Sequence, residues 1–406
     1  MAYTVTGLDV GSGTVRAVVA EEKSDGTFLV RHAFARPAAG FRRGVLVDVE
    51  DATHALREVA LELKKVSRRA MQNIFVNVAS EHVRARLSRG IVAVARADQE
   101  IQDEDIERVI EASRAIKLPP NATVLHSIVR EYFVDDVGDI ADPLGMNGSR
   151  LEVSTLIVEA FAPHVNLLVK GLDRVGLKVG GLIFNPLAAA KSALSKRQKE
   201  LGCMLIDFGM GTTSLVMYEE GKVAHVKSIP IGMGHVTNDI AVGLRTSIDV
   251  AERLKLEFGT ASTRDVNRRE TIPFREFDPS ADTEITKRFL SEIIEMRVEE
   301  ILGLVKAEIK SMEHGMEFPG GAVLVGGGAK LLGLPALVKA ELKIPVQVGI
   351  PYLHEFQIEN SAHRDFLEDP RSATVVGLVL WGGTMREKEM VPGGNWAKKL
   401  LGYLKP

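Results

Sequence analysis

Two segments of the chain pair an aspartate with glycines and with small hydroxyl side chains. Residues 7–14 contain Asp9, and residues 205–213 contain Asp207. In each copy, the apolar runs on either side of the glycines predict two buried strands joined by a tight hairpin. Glycines let backbone N–H groups wrap an anion, and an aspartate at a strand end can hold Mg²⁺ through water. Two such hairpins facing each other would bind a nucleoside triphosphate across a cleft.

A single hairpin of this kind is more often an ordinary turn than a phosphate site, but two copies and a third glycine block favour a binding site. The third block, residues 323–330, predicts a strand, a glycine turn and a helix start, which suits close passage beside a base or ribose. The metal candidates are Asp9 and Asp207, acting through water. The candidates for the triphosphate are Gly11, Ser12, Gly13, Gly209, Gly211, Thr212 and Thr213, and those for the nucleoside are Gly326, Gly327 and Gly328.

The composition restricts the class of protein. The chain has 406 residues, 45% hydrophobic and 26% charged, so two or more domains with a large core are expected. A net charge of −3 argues against a nucleic-acid-binding protein. The single cysteine, Cys203, excludes a disulfide framework, fits a reducing cytoplasm and is expected to be a buried structural thiol. No signal peptide or membrane-spanning run is recognised, so we expect a cytoplasmic protein unless its tail attaches it to a surface.

The two aspartate hairpins and the third glycine block together resemble the pattern of the actin and heat-shock ATPase superfamily. Within that superfamily, residues 89–92, 101–106, 142–153 and 228–241 resemble segments typical of FtsA, a family of actin-like bacterial division proteins. The resemblance runs from about residue 5 to about residue 385. It implies an α/β, actin-like two-domain fold with an FtsA-type inserted subdomain, and ATP with Mg²⁺ as the ligand of the cleft.

The resemblance also implies a division of the chain, and the strand–helix–strand pattern of its middle segment supports an insertion independently. Local patterns predict a helix over 51–70 with Asp51 as its cap, a connecting helix over 180–190, and a long helix over 285–312 that either packs on the core or presents a partner face. The expected parts are a first half (1–85 and 164–200, with helix 366–385 returning to it), an inserted subdomain (86–163), the core of a second half (201–234 and 320–365), its outer subdomain (235–319), a linker (386–394) and an amphipathic helix (395–406).

Three charged residues near the cleft have two interpretations each. Arg16 lies where actin carries a phosphate-contacting lysine, whereas FtsA relatives usually carry a lysine at the position of Thr14. Arg16 therefore either supplies the missing positive charge or is a solvated strand residue. Glu252 and Lys255 share one helix face at i, i+3 spacing. The superfamily uses such a pair for ribose and adenine contacts, but the spacing alone also fits a surface ion pair.

The sequence departs from the family pattern at three positions. Met210 replaces the middle glycine of the second hairpin, Met233 replaces a glycine that is usual after Gly232, and Asn185 stands where relatives often have a glutamate. In related ATPases the region of Asn185 positions the attacking water, and a neutral amide is a poorer general base than a carboxylate. We therefore expect slow or negligible ATP hydrolysis and assign no catalytic residue.

The C-terminal residues, 395–406, predict an amphipathic helix that follows a Pro-Gly-Gly break. At helical spacing its aromatic and aliphatic side chains form one arc with the lysines opposite, which is typical of a helix lying in a membrane interface. Each lysine near an anionic surface adds about 1 kcal/mol of binding energy. The alternative is a terminal helix that docks on its own domain. The residues expected at the membrane are Trp396, Lys398, Lys399, Leu400, Leu401, Tyr403 and Leu404.

The function implied by the resemblance is that of an ATP-binding division protein that polymerises and tethers FtsZ filaments to the inner face of the cell membrane at the division site. The FtsZ C-terminal tail would bind the outer subdomain beside Arg297. The other expected partners are further copies of the chain, anionic lipid and, through the insertion, other division proteins, but not nucleic acid. The main alternative is a PilM-like type IV pilus assembly adaptor, which shares the fold and needs no lipid-binding helix. A sugar kinase or chaperone ATPase is a further alternative.

Overall fold

The computed structural model describes residues 3–264, 266–279, 284–312 and 316–390. The strands are β1 (Tyr3–Val10), β2 (Thr14–Glu22), β3 (Phe28–Pro37), β4 (Phe41–Arg42), β5 (Val45–Leu46), β6 (Ile74–Val78), β7 (Arg84–Ala93), β8 (Ala122–Val134), β9 (Val137–Ile140), β10 (Arg150–Phe161), β11 (Val179–Phe184), β12 (Cys203–Phe208), β13 (Thr213–Glu219), β14 (Lys222–Ile229), β15 (Thr271–Ile272), β16 (Ile285–Thr286), β17 (Ala322–Val325), β18 (Val346–Val348) and β19 (Phe356–Gln357).

The helices alternate with these strands, and short 3₁₀ turns lie at Arg68–Met71, Gly327–Lys330 and Pro370–Ser372. The helices are α1 (Val49–Val66), α2 (Asp103–Arg114), α3 (Ala162–Arg174), α4 (Asn185–Ala193), α5 (Lys196–Leu201), α6 (Met233–Leu244), α7 (Ile248–Phe258), α8 (Phe274–Phe277), α9 (Lys287–Lys310), α10 (Leu334–Leu342), α11 (Ser361–Leu367) and α12 (Ala373–Met390). Among the described residues, no helix combines the length and the apolar composition that a membrane span requires.

The first half of the chain is built on a six-stranded sheet with the order β11-β6-β1-β2-β3-β19. Strand β1 pairs antiparallel with β2 and parallel with β6, so it lies in the middle of the sheet. Helix α1 covers one face with buried Leu56, Val59 and Leu63. The expected cap at Asp51 is wrong, because the carboxylate of Asp48 accepts the backbone N–H groups of Glu50 and Asp51. The helix therefore starts earlier than predicted, and it ends at Val66.

Residues 84–161 form a separate four-stranded antiparallel sheet, β7-β10-β8-β9, with α2 packed on one face. Their small core contains fully buried Ile101, Val109 and Leu151. This unit is fastened to the rest of the molecule by contacts outside its two chain connections. The Nε2 atom of His126, on β8, accepts the backbone N–H of Phe184 at 3.0 Å. Lys222 of the second half pairs with Asp139, in β9, at 2.7 Å.

The second half is built on a five-stranded sheet with the order β14-β13-β12-β17-β18. Helix α9 packs into the core of this half with Ile294, Val298 and Ile301, so the core-packed interpretation holds for that face. The same helix leaves Met296 70% exposed and Leu304 40% exposed, although helical spacing predicts both on its apolar face. The difference arises because neighbouring helices cover only part of the circumference of α9.

Two helices connect the halves, and both differ from expectation. The segment predicted as a connecting helix, 180–190, begins as strand β11, and helix α4 starts only at Asn185. Helix α12 packs closely on α4, since a Cβ on Gly377 would lie 1.8 Å from the carbonyl oxygen of Ala188. The helix expected over 366–385 starts at Ala373 and continues to Met390, so the first part of the expected linker is helical. The remainder of the linker and the predicted membrane helix lie outside the described residues, and the domain boundaries stay a prediction.

Candidate nucleotide-binding site

The two aspartate motifs form hairpins with the same geometry. The backbone N–H of Gly11 donates to the carbonyl of Thr14 at 3.0 Å, and that of Gly209 donates to Thr212 at 3.0 Å. The cross-strand register is also the same, because each aspartate pairs with the residue seven positions later, Arg16 in β2 and Ser214 in β13. The repeated sequence motif therefore forms the same structure twice, with an aspartate near the end of a central strand in each half.

The tips of the two hairpins face each other across the boundary between the halves. A Cβ on Gly13 would lie 2.6 Å from the Sδ atom of Met210, and a Cβ on Gly211 would lie 2.7 Å from the hydroxyl oxygen of Ser12. Both distances are too short for a real side chain. Glycine is therefore required at Gly211, which also lies against the backbone of Arg43, whereas a side chain at Gly13 would displace the end of Met210, which packs against the first hairpin.

Asp207 lies close enough to Asp9 to affect the ionisation of Asp9. Burial and the neighbouring charge of Asp207 raise the pKa of Asp9 to about 7, although Arg16 partly opposes the shift. Burial raises the pKa of Asp207 to about 6, and a hydrogen bond from Asn185 partly offsets that effect. Two desolvated carboxylates of this kind attract a cation. Among the described residues no third His, Cys, Asp or Glu joins them, so a metal here would take its other ligands from water or phosphate.

A chain of side-chain amides links the two aspartate strands. The Oδ1 atom of Asn77 accepts the backbone N–H of Val10 at 2.6 Å, and its Nδ2 donates to Oδ1 of Asn185 at 2.8 Å. The Nδ2 atom of Asn185 then donates to Asp207 at 3.5 Å. Both asparagines are buried. Sequence reasoning identified Asn185 but passed over Asn77, whose one signal is a polar amide inside an otherwise apolar strand, β6.

The hairpin tips fit an anionic ligand. The backbone N–H groups of Ser12, Gly13, Met210 and Gly211 have no acceptor within the described part of the chain. Unpaired N–H groups at a glycine turn are the donors that phosphate oxygens require. The hydroxyl oxygen of Ser12 already accepts the N–H of Gly44 at 3.2 Å, so its own proton is available to a ligand.

Hydroxyl residues of the second hairpin lie on different faces of its sheet. Thr213 pairs with Phe208, whereas Ser214 pairs with Asp207. Because cross-strand partners point to the same face, the hydroxyl beside the carboxylate belongs to Ser214 and not to Thr213. The Thr213 hydroxyl is buried without a hydrogen-bond partner among the described residues. Contacts of Thr212 and Thr213 with a nucleotide stay a prediction, and Ser214 is a residue that sequence reasoning missed.

The third glycine block lies directly against the second aspartate. Gly326 has a φ of +83°, and a Cβ there would lie 2.3 Å from Oδ1 of Asp207. Gly328 is equally confined, because a Cβ would lie 2.6 Å from both Phe208 and Met233. The intervening Gly327 is exposed and has open space around it. The block therefore brings backbone close to the Asp207 carboxylate and leaves Gly327 open to solvent.

Glu252 and Lys255 form an ion pair in which the lysine is buried and the glutamate is partly exposed. The Nζ atom of Lys255 donates to Glu252 at 2.6 Å, to the Thr237 hydroxyl at 2.7 Å and to the Met233 carbonyl at 3.3 Å. Lys255 is only 7% exposed, whereas Glu252 is 37% exposed. Met233 joins this group to the third glycine block, since it also touches Gly328. The pair is thus adjacent to the site, and its contact with ribose or adenine stays a prediction.

Arg16 is buried, which excludes the interpretation as a solvated strand residue. Its guanidinium lies 4.0 Å from the ring centre of Phe366 and donates to the hydroxyl of Ser372 at 2.8 Å. Burial and the nearby charge of Arg371 lower its pKa. The side chain therefore fastens strand β2 to the turn that precedes α12. Its predicted contact with a phosphate is untested.

An ion cluster that the sequence did not reveal lies in that same turn. Asp369 accepts hydrogen bonds from Lys330 at 2.9 Å and from Arg371 at 2.7 Å. Burial alone would raise the pKa of Asp369, but these hydrogen bonds hold it well below its usual range. Because Lys330 ends the third glycine block and Pro370 accepts the N–H of Gly326 at 3.1 Å, the cluster fixes the position of that block.

Arg297, the residue expected to contact a protein partner, lies on α9 far along the chain from both hairpins. Its guanidinium pairs with both carboxylate oxygens of Asp239 on α6, and with Glu300 one turn away. The side chain is 26% exposed. The expected lipid contacts, from Trp396 to Leu404, lie outside the described residues.

The chain matches two family models. The model described as "Cell division protein FtsA" matches residues 204–377, and the model described as "SHS2 domain inserted in FTSA" matches residues 80–159. The chain is 33% identical to the cell division protein FtsA of Pseudomonas aeruginosa over 378 residues, which cover 93% of this chain and 89% of that protein.

Solved structures with a similar fold are more distant in sequence. The PilM-PilN type IV pilus biogenesis complex contains a chain that aligns with a TM-score of 0.66 at 18% identity, covering 93% of this chain and 98% of its own. MreB5 of Spiroplasma citri bound to ADP aligns with a TM-score of 0.56 at 15% identity, covering 96% of this chain and 98% of its own. These likenesses concern the fold, and together with the matched insertion they confirm the expected actin-like architecture with an FtsA-type inserted subdomain.

Proposed function

The chain belongs to the FtsA family of cell division proteins, and we propose that it binds ATP with Mg²⁺, polymerises, and tethers FtsZ filaments to the cytoplasmic membrane. In this proposal the protein acts at the inner face of the membrane at the division site. The outer subdomain, 235–319, binds the FtsZ tail, and the insertion, 86–163, contacts other division proteins.

The observation that carries the nucleotide proposal is the pair of facing hairpins. Each hairpin directs an aspartate and unpaired backbone N–H groups toward the boundary between the halves. The N–H groups would hold phosphate oxygens, and Asp9 and Asp207 would hold Mg²⁺ through water. When bound, the metal supplies positive charge that offsets both the carboxylates and the phosphates. The nucleotides in the solved MreB5 structures support this assignment by analogy of fold.

Slow hydrolysis is part of the proposal. Asn185 occupies the place where a carboxylate would act as a general base, and both ends of its amide are already engaged by Asn77 and Asp207. An amide that is held in this way orients its neighbours but does not remove a proton at neutral pH. ATP would therefore act mainly as a structural ligand that holds the two halves together.

The surface around Arg297 suits an acidic peptide with apolar side chains. Arg297 is partly exposed between α6 and α9, and its guanidinium already holds the carboxylate of Asp239 in two-point geometry, a place that a peptide carboxylate would take by displacing Asp239. Exposed apolar side chains occur on the same two helices, Val242 at 71% and Met296 at 70% exposure. Single exposed apolar residues are ordinary, but Met296 adjoins Arg297 in sequence and Val242 lies one turn from Asp239, the partner of Arg297, which favours a binding surface here.

Membrane attachment would depend on the C-terminal helix and on polymerisation. One amphipathic helix of three turns binds lipid weakly and reversibly. Many copies aligned in a filament would bind far more tightly, because each bound helix raises the effective concentration of the next at the surface. Attachment should therefore require anionic lipid and conditions that allow filaments to form.

The alternative, a PilM-like pilus assembly adaptor, rests on likeness of fold alone. The alignment with the PilM-PilN complex is at 18% identity, compared with 33% for the FtsA of Pseudomonas aeruginosa. A PilM-like adaptor would bind the cytoplasmic peptide of a membrane protein and would not need its own lipid-binding helix. Liposome binding therefore discriminates between the two functions.

The test is sedimentation of the full chain with anionic or neutral liposomes, with Mg-ATP. A chain that ends at Met390 should stay in the supernatant yet bind nucleotide as the full chain does. Trp396→Glu should have the same effect, because it places a charge in the apolar arc. Asn395→Glu is the matched control, since helical spacing places this residue on the polar face, and it should change sedimentation little. A shortened chain that pellets as the full chain does would contradict the tethering function and favour the pilus adaptor.

A further inference from the structure

A tight turn brings an arginine to the hairpin tips. Strands β4 and β5 pair Arg42 with Val45, so Arg43 and Gly44 form a two-residue loop. Both loop residues have positive φ, 49° for Arg43 and 70° for Gly44. This is the pattern of a type I′ turn, in which Asn, Asp or Gly is preferred at the first position. An arginine there is an unfavourable choice for the turn, which points to a role for its side chain.

The turn contacts both aspartate hairpins. A Cβ on Gly211 would lie 2.8 Å from the Cα of Arg43, and the N–H of Gly44 donates to the Ser12 hydroxyl at 3.2 Å. On its other side, a Cβ on Gly44 would lie 2.2 Å from the carbonyl oxygen of Ala79. The backbone of Arg43 thus touches the tip of the second hairpin while its neighbour is bonded to the first.

Arg43 is the cation best placed to meet a phosphate at these tips. The side chain of Arg16 is engaged by Ser372 and Phe366, away from the hairpin tips, and Thr14 carries no charge. The side chain of Arg43 is 39% exposed, and its guanidinium donates to Glu81 at the long distance of 3.4 Å. A hydrogen bond of that length is easily exchanged for a shorter one to a phosphate oxygen.

We propose that Arg43 binds the terminal phosphate of the nucleotide and that Glu81 competes with the phosphate for its guanidinium. The inference rests on the proposed nucleotide function and adds a specificity-determining residue to it. The two carboxylates at the site, Asp9 and Asp207, make a charged donor necessary beside the neutral backbone N–H groups, because a triphosphate carries more charge than one Mg²⁺ neutralises. A residue that contacts the terminal phosphate distinguishes ATP from ADP.

The experiment compares ATP and ADP affinities of full-length variants by calorimetry in the presence of Mg²⁺. Arg43→Asn removes the charge but suits the turn, because asparagine is favoured at positive φ, so this variant is expected to fold. We expect it to bind ATP about tenfold or more weakly, as for the loss of a charge-assisted hydrogen bond, and to bind ADP nearly unchanged. Arg42→Asn removes the same charge from the adjacent exposed position and should leave both affinities unchanged.

Glu81→Gln should change ATP affinity in the opposite direction to Arg43→Asn. Removing the competing carboxylate should tighten ATP binding relative to ADP. The inference is overturned if Arg43→Asn leaves the ratio of ATP to ADP affinity at the wild-type value, or if Arg42→Asn changes that ratio as much. A wild-type chain that binds neither nucleotide would overturn the proposed function, and this inference with it, so the two failures are distinguishable.

Discussion

Replacing Asp207 by asparagine separates the charge of the candidate metal site from its shape. The amide keeps an oxygen that can accept the hydrogen bond from Asn185, so the link between the halves is retained. With Mg²⁺ present, ATP should bind more weakly, because the metal loses one of its two carboxylates. Without Mg²⁺, ATP should bind more tightly than to the wild type, because a negative charge facing the phosphates is gone. Whether the substitution weakens or strengthens ATP binding therefore depends on the presence of Mg²⁺.

The expected size follows from the energy of a charged hydrogen bond. A carboxylate that holds a metal-bound water contributes about 1.5–3 kcal/mol. Since each 1.4 kcal/mol or so is a factor of ten, Asp207→Asn should weaken Mg-ATP binding about 10- to 150-fold. The substitution should also lower the pKa of Asp9, because Asp207 is one cause of its rise to about 7. That pKa should remain above its ordinary value, since burial is the larger cause.

The assay is calorimetry of ATP binding at pH 8, with Mg²⁺ or with EDTA, on the full chain and on Asp207→Asn. Asp173→Asn, at an exposed site on α3, is the control and should match the wild type in both buffers. The pKa of Asp9 is followed by titrating its carboxyl resonance in both proteins. An equal loss of affinity with and without Mg²⁺ would refute the reasoning, because it would show that the substitution damages the cleft and not the metal site.

Three further outcomes are expected. The gain in melting temperature from Mg-ATP should shrink between pH 8 and pH 6, since Asp9, with a pKa of about 7, is mostly protonated at the lower pH and must lose its proton to hold a metal; a gain independent of pH would contradict this. Asn185→Glu should raise the rate of phosphate release and Asn185→Gln should not. Arg297→Glu should weaken binding of an FtsZ tail peptide, and Asp239→Asn should strengthen that binding because it frees the Arg297 guanidinium. Arg288→Glu, on the same helix as Arg297, is the control and should leave peptide binding unchanged. Equal peptide affinity of all three variants would exclude this surface.

The hairpins could be predicted because their signal is local. An aspartate, a glycine turn and flanking apolar runs determine the strand pairing within a few residues, and the register of β1 with β2 matches that of β12 with β13. The glycine pair at 180–181 shows the opposite case. The sequence predicts a helix at these residues, but they lie in β11, where a Cβ on Gly181 would lie 2.7 Å from the ring of Phe75. Contact with a strand far away in sequence decided the structure there.

The amide network and the position of Arg16 could not be predicted for the same reason. Asn77 and Asn185 come from different elements and meet at 2.8 Å only after the sheet has formed. Arg16 reaches the turn before α12, whose residues lie at the other end of the chain. A single sequence shows which side chains carry charge or an amide, but their partners depend on tertiary packing.

The inserted subdomain reaches the nucleotide network through one buried hydrogen bond. His126, in β8, accepts the backbone N–H of Phe184, the residue directly before Asn185. Burial lowers the pKa of His126 to about 4, so the ring is neutral near pH 7 and Nε2 is free to accept. Asn185 in turn donates to Asp207, so only one peptide unit separates a contact of the insertion from a contact of the candidate metal site.

The insertion is also held by the second half, through Lys222 and Asp139 at 2.7 Å and through Arg130 and Glu219 at 3.7 Å. In both pairs the carboxylate is exposed but the cation is less than a quarter exposed, so the pairs are only partly open to water. The His126 contact differs, because breaking it would leave a buried N–H without a partner, at a cost of about 1–3 kcal/mol. Apolar side chains of the insertion, among them Leu125, Leu156 and Val158, also share the buried core that contains Phe184. A rotation of the insertion must therefore disturb both this packing and the hydrogen bond to the strand before Asn185, so a contact on the insertion would act on the nucleotide cleft through both.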